Sequence, residues 1–374
     1  MNLVKTFNGK MRLLKIFTGA IIFTFLGGYA NAQTISLSNP EVAKLQKLIQ
    51  NDASAAKQFS PFLKLADESL QDAPDPIETI TTEGRLKGNP QKTATAESLR
   101  DMRKIYALAI VYRVKTDDKY LKKADEFLTV WAKTNHPTGD PIDETNLDNA
   151  FESYDLIKDK LSAADKTLIE NWFRQIAQAE INSPKMTNGH TTAMNNWNSH
   201  RLKIVGEIAW VLNDDKLKKY TIDNLKKQLE ANLNADGTTF DFLQRDALHY
   251  HAYDLEPLVK LAIVIKRNAG TDFYNYETDK GASIAKSVNF LAPFVTGEKA
   301  HAEFVNSKVS FDAARAKNGE QGYISGTLFK PTEGIETISL AAWFNPRLLE
   351  AVRKAKNDES KFTNWQTVLN EVEK

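Results

Sequence analysis

Cysteine is absent from the 374 residues. The chain therefore has no disulfide, no thiolate metal ligand, no cysteine nucleophile and no lipid-modified cysteine. Small secreted scaffolds depend on cross-links, whereas a chain of this length can rely on a buried core. An excess of one charge is also missing, since 49 Lys and Arg face 48 Asp and Glu. That balance argues against nucleic acid as a partner, so a polyanion would have to bind in a local basic cleft. No fixed-period repeat is visible, which disfavours solenoid arrays. Strand-like runs are scarce before about Tyr323.

The one long apolar run lies near the N-terminus, from Ile16 to Leu26. Lys5, Lys10, Arg12 and Lys15 precede it, and Ala30-Asn31-Ala32 follows with the small residues of a cleavage site. Spanning a bilayer takes about 20 apolar residues, and this run is shorter. Residues 1–32 read as a cleavable signal peptide cut after Ala32. Losing its four cations takes the formal charge from +1 to −3. The expected product is periplasmic or secreted, with no membrane insertion after cleavage, and residues 33–374 form a single domain.

Helical periodicity fills that domain. Leu99, Met102, Ile105, Tyr106, Ala109 and Ile110 follow a three-four spacing within residues 97–114. Similar patterns cover residues 121–132, 147–157, 163–181, 200–212, 217–233, 258–265 and 283–294. Ser162, followed by an acidic first turn, reads as an N-cap. Short polar turns join these segments, so the fold class is all-α, built from antiparallel helix hairpins packed side by side. Residues 82–93, "TEGRLKGNPQKT", break the periodicity. Arg85 and Lys87 there suit either a solvated loop or a cationic lid over a polyanion.

Two segments concentrate polar and aromatic residues. In "NNWNSHR", residues 195–201, a helix would set Asn196 and His200 on one face and Trp197 and Arg201 on the next. One of the paired asparagines should cap that helix. In "FDFLQRDALHYHAY", residues 240–253, spacings of four would stack Arg245, His249 and Tyr253. Pro257 lacks the N–H that would bond the Tyr253 carbonyl, so the helix should kink or restart there.

This set suits removal of a proton next to a carboxylate, as at C5 of a uronic acid. Amide, imidazole and guanidinium donors would neutralise the carboxylate as charge spreads onto it, which casts Asn196, His200 and Arg245 as stabilisers. Tyr253 would take the C5 proton and return one to the departing O4. Its ordinary pKa, near 10, would have to be lowered by neighbouring cations such as Arg245 or a histidine. One tyrosine suffices where C5–H and O4 lie on the same side, as in mannuronate or glucuronate. Guluronate or iduronate would need a second group such as His200 or His251. Trp197, Tyr250 and Phe240 are candidates to stack on sugar rings. Arg201, His249, His251, Lys308 and Arg315 are candidates for further substrate contacts.

At these residues the sequence resembles the alginate lyase family of helical-toroid polysaccharide lyases, polysaccharide lyase family 5 and its relatives. The likeness rests on Asn195-Asn196 and, some fifty residues on, "ALHYHAY" followed by Pro257, with a weaker echo in "DETNLDNAFESYDLI" (residues 143–157). It implies an incomplete α/α toroid with a tunnel-like cleft, an acidic polysaccharide substrate, and neither metal nor cofactor. In the alginate enzymes a histidine directly follows the paired asparagines, where this chain has Trp197. Their arginine directly precedes "AL", where this chain has Asp246 with Arg245 one earlier. Those departures look more like related lyases acting on glucuronan or mixed uronates.

Other readings stay open at this stage. An α/α-barrel glycoside hydrolase would need two carboxylates flanking the bond. Asp241, Asp246, Asp254 and Glu144 could supply them, though their surroundings give no sign of the raised pKa a general acid needs. A non-catalytic glycan-binding envelope protein is a third class. A zinc site from His200, His249 and His251 lacks a recognisable spacing such as His-Glu-x-x-His.

Overall fold

Residues 34–186 and 189–374 are described by a computed structural model, and its regular elements are helical throughout. The signal-peptide reading lies outside these residues. Among the described residues there is no strand; two isolated bridges pair Leu233 with Thr239 and Ala302 with Leu328.

The N-terminal helices are α1 (Asn39–Asn51), α2 (Ala53–Ser69), α3 (Pro90–Ser98), α4 (Arg100–Lys115), α5 (Asp118–Thr134), α6 (Pro141–Glu144), α7 (Asp148–Ile157) and α8 (Ala163–Asn182). There follow α9 (Asn196–Val211), α10 (Asp215–Asn232), α11 (Phe240–Arg245), α12 (Leu248–Ala269), α13 (Ile284–Val295), α14 (Ser310–Lys317), α15 (Ile335–Ala341), α16 (Leu349–Lys356) and α17 (Trp365–Val372). The caps are those the side chains favour. The Ser162 hydroxyl accepts the Asp165 N–H, and the Asn195 amide oxygen accepts the Trp197 N–H. The expected helix over 97–114 is instead two, because the chain turns at Leu99 between α3 and α4.

Helices α4, α7, α9, α12 and α15 pack each on the next to make an inner ring. Outside it lie α5 and α8 against the first part of the ring, α10 against α9, and α13 against α12 and α15. The seam is shut by α17, which touches α15, α1 and α2, while α2 returns to α4. Single helices fill the place of a last hairpin, which makes this an incomplete α/α toroid. Its core holds Phe127, Trp131, Phe151, Tyr154, Trp172, Phe173 and Trp210, all essentially without solvent exposure.

Helix α9 is covered on nearly every side; Trp197 alone among its residues escapes full burial. Gly206 permits this, since a Cβ there would collide with Leu261 of α12 and press on Thr221 of α10. Burying a helix so fully forces its polar residues to find protein partners.

The α11–α12 junction departs from expectation. Asp246 takes a left-handed conformation (φ 50°) that ends α11, and α12 starts afresh at Leu248. The Glu303 carboxylate caps the new helix, accepting the N–H groups of Leu248 at 2.8 Å and His249 at 3.0 Å. Arg245 is therefore not stacked on His249 and Tyr253 in one helical stripe. Helix α12 also runs on through Pro257 to Ala269 without restarting.

Candidate active site

Tyr253, half-buried on the second turn of α12, is the centre of an aromatic mouth at one end of the ring. Its ring lies 4.3 Å from the His200 ring and 6.4 Å from that of Tyr250. Tyr250 meets Phe304 edge-on at 6.2 Å, and Phe304 meets Tyr323 at 5.3 Å. His249 closes the group, 5.1 Å from Tyr250 and 6.1 Å from Tyr323, with Nδ1 3.5 Å from Glu333 Oε2. Two guanidiniums bracket these rings. Arg245 lies 3.9 Å over Tyr250, and Arg315 lies 4.5 Å over both Phe311 and Tyr323 while donating to the Tyr250 hydroxyl at 2.6 Å. The Arg245 charge is already paired with Asp312, so of the two it is Arg315 that better suits an approaching anion.

The Tyr253 hydroxyl makes no hydrogen bond with any described residue. Burial pushes its pKa above the ordinary phenol value, and Glu256, one turn further along α12, pushes the same way. The expectation that cations lower it is overturned. Arg245 is ion-paired with Asp312 and stacked on Tyr250, and burial drives His200 down to about 3, so it is neutral.

On the facing helix α9, Asn196 and His200 share one face, as their spacing requires. Asn196 is nevertheless engaged inside the protein. Its backbone N–H reaches Asp241 Oδ2 at 2.7 Å and its side-chain amide donates to the other oxygen. Burial holds Asp241 up at about 6 despite those two bonds. His200 Nδ1 sits 2.9 Å from the Thr145 hydroxyl, to which Lys203 donates at 2.7 Å. Lys203 also pairs with Asp148, whose carboxyl burial would raise but Lys203 and Lys260 hold below its ordinary range.

The 82–93 segment spans between the two walls of this mouth. On one wall Asp143 accepts the N–H groups of Thr82 and of Glu83, at 2.6 and 2.9 Å. On the other, Glu320 accepts the Lys87 N–H at 2.9 Å and Asn318 donates to the Lys87 carbonyl at 3.0 Å. Lys87 itself is exposed, while the Arg85 Nε is buried without a partner among the described residues. Burial, with Asp140 next, raises the Glu83 carboxyl, against the pull of Lys185 and Arg315. Lys185 bonds Asp140 at 2.7 Å and lies 5.2 Å over the Trp197 ring.

Several expected contributors lie elsewhere. His251 is fully buried, its two ring nitrogens bonded to Thr239 Oγ1 at 3.1 Å and the Ser287 carbonyl at 3.0 Å. Arg201 points to the α10 side of α9, where Asn198 Oδ1 accepts from its guanidinium. Lys308 is an exposed surface lysine whose backbone N–H bonds the Gln244 carbonyl. Three of the carboxylates considered for hydrolysis carry raised pKa values. Burial raises those of Asp254, Asp241 and Glu144, but all three are sealed from solvent and cannot flank a glycosidic bond.

Sequence reasoning missed Phe304, Tyr323, Glu333, Thr145 and Lys203. Only Lys203 left a signal, as the next step after Asn196 and His200 along one helix face.

A ring of helices with an open tyrosine in an aromatic, guanidinium-flanked mouth defines a protein of the α/α-toroid class. The profile of the alginate lyase family matches residues 46–301, and the chain belongs to that family. It is 25% identical over 195 residues to an alginate lyase of Stenotrophomonas maltophilia, a match covering 45% of this chain and 25% of that protein. The fold is similar to that of an alginate lyase from Bacteroides ovatus, with a TM-score of 0.68 and 19% identity over 91% of this chain and 99% of the other. Alginate lyase A1-III from Sphingomonas species A1 gives a TM-score of 0.56 at 21% identity, covering 72% of this chain and 80% of that one. A form of that enzyme has been solved in complex with a tetrasaccharide.

Proposed function

We propose that this chain is a polysaccharide lyase that cleaves a uronate polymer by β-elimination, with Tyr253 as both base and acid. The observation that carries the proposal is the Tyr253 hydroxyl, which bonds no described residue and stands among rings and guanidiniums that suit a sugar acid. In the step, the phenolate oxygen takes the C5 hydrogen as a proton. The C5–H electrons form the C4=C5 double bond, the C4–O4 bond breaks, and the same phenol returns the proton to O4.

The carboxylate-neutralising role falls to Arg315 and His249 better than to Asn196 and Arg245. Asn196 is bonded to Asp241 and Arg245 to Asp312, whereas the His249 side chain is 39% exposed beside the rings. Donors placed where charge develops are worth most when solvent is thin around them. A single open phenol beside a neutral, buried imidazole favours units whose C5–H and O4 share a side. Polymannuronate and glucuronan are therefore the proposed substrates, met outside the cytoplasm after export.

Incubation with polymannuronate, polyguluronate, glucuronan and glycosaminoglycans tests this through ultraviolet absorbance of the unsaturated product. Product is expected from the first and third. Tyr253→Phe should lower turnover by about 10²- to 10⁴-fold while circular dichroism and polymer binding persist. New reducing ends without ultraviolet absorbance would show hydrolysis and end the proposal.

A further inference from the structure

Arg201 follows His200 on α9 and so points about 100° further round the helix, off the face that meets Tyr253 and toward α10. There it lines a cavity of about 670 Å³, a size that suits a small ligand. The cavity also takes in Asn198 from α9 and Tyr220 and Lys227 from α10, with His190 and Met194 from the chain before α9. None of the described residues lining it is acidic.

Arg201 is a cation set in place before any ligand arrives. Asn198 Oδ1 accepts from its Nε at 2.9 Å and from its Nη2 as well. The Asn198 amide is held in turn, donating to Gln228 Oε1 at 2.6 Å. Gln228 is itself fixed, because it donates to the Asn195 carbonyl at 3.1 Å and the Ser199 hydroxyl at 2.9 Å. Arg201 is only 8% exposed, yet it forms no ion pair with a described residue. Its Nη1 bonds none of them either and is not sealed from solvent. Glu180, on the neighbouring α8, does not supply the missing charge. It is wholly buried, and burial raises its carboxyl well above the ordinary range, which favours the neutral form. A buried guanidinium held only by an amide gains most from an anion that reaches its free edge.

The rest of the cavity narrows the choice of anion. Lys227 and His190 are exposed at its rim and add positive charge, while Tyr220 is half-buried in its wall beside Met194. An aromatic face with apolar neighbours suits the ring of a sugar better than it suits a bare ion.

From this arrangement we infer that the cavity is a second binding site for sugar acids, apart from the mouth, with Arg201 as the anchor for a carboxylate. In a lyase of uronate chains it holds a part of the polymer away from the unit being cut. The inference rests on the lyase reading for that purpose, though not for its chemistry.

The probe is trimannuronate, titrated into the full chain carrying Tyr253→Phe so that nothing is cleaved. The Nε–H signal of Arg201, assigned by its loss in Arg201→Lys, should shift on binding, and calorimetry should count two sites. Lys227→Glu changes an exposed residue, so the fold is kept. Added to Tyr253→Phe, it should leave one site and weaken the binding of long polymannuronate by about tenfold. Sodium sulfate should move the Arg201 signal less than trimannuronate does, since it cannot use the Tyr220 wall. An Arg201 signal unmoved while the mouth saturates would overturn the inference, as would a single site in the Tyr253→Phe chain or a sulfate shift as large as that of the sugar. Failure of every polyuronate to give an unsaturated product would instead remove the lyase reading, and the Arg201 signal would still decide this one.

Discussion

Tyr253 and Glu256 stand one turn apart on α12, yet they face different worlds. Around Tyr253 are rings and guanidiniums: Tyr250, Tyr323, Phe304, Arg245 and Arg315. Beyond Glu256 a cavity of about 370 Å³ follows the toroid axis, lined by Glu152, Glu256 and Glu336 with Arg103 and Lys260. Lys260 holds Glu152 at 2.7 Å, Glu207 at 3.1 Å and Asp148 at 3.3 Å. Carboxyls thus outnumber cations along the axis, and low-dielectric surroundings make their repulsion of another anion stronger. On the proposed reading a polyanion suits the mouth, while the carboxyl-lined interior favours it less. The same ring of helices sorts charge along its depth.

The largest effect expected from disturbing this contrast is on the axis. Lys260→Met would leave three carboxyls without their shared cation, at a cost of about 3–5 kcal/mol, read from the urea midpoint. Next comes the proposed base. Because burial holds the Tyr253 phenol above its ordinary pKa, the phenolate fraction grows with pH throughout the neutral and mildly alkaline range. kcat/KM should climb by about tenfold per pH unit there without levelling off, and a plateau near neutrality would point to another base. At the mouth, Arg315→Gln should raise KM about tenfold, or about 1.4 kcal/mol, with the fold unchanged.

The smallest effect concerns Glu336. Desolvation in the axial cavity, with Glu256 second, holds its carboxyl up at about 7 against an ordinary 4.5, but the residue is exposed and solvent screening keeps the effect on stability small. The folded chain keeps a proton that the unfolded chain has released, so this stabilisation is complete below the ordinary value and is lost as pH rises through about 7. The melting temperature should fall over that window, and Glu336→Gln, which mimics the protonated form, should flatten the fall by about 2 °C. A slope unchanged by the substitution would locate the pH sensitivity elsewhere.

What could be read from residues alone follows the length scale of the interaction. Helix order, the Asn195 and Ser162 caps and the prominence of Tyr253 depend on neighbours within a turn or two, and they were legible. The Arg245–His249–Tyr253 stripe failed because Asp246 adopts a left-handed conformation that spacing does not reveal. Its stabilisation comes from Asn306, whose N–H reaches Asp246 Oδ2 at 3.0 Å from a distant loop. Asn196 and His251 were misjudged for a related reason, since their partners Asp241, Thr239 and Ser287 lie on other elements. Tyr323 and Phe304 come from irregular chain with no periodicity to mark them, and they enter the mouth only through the winding of the 301–323 region around α12.

The hydrogen bonds joining Lys87 to Glu320 and Asn318 hold the 82–93 segment as a crosspiece. On the proposed reading, a long strand would reach Tyr253 by its end with the crosspiece in place, but by its middle only when those bonds part. Surface hydrogen bonds of this kind are worth about 1 kcal/mol each. On the proposed lyase reading, a strand once inside would be held from drifting away sideways and left free to slide lengthwise.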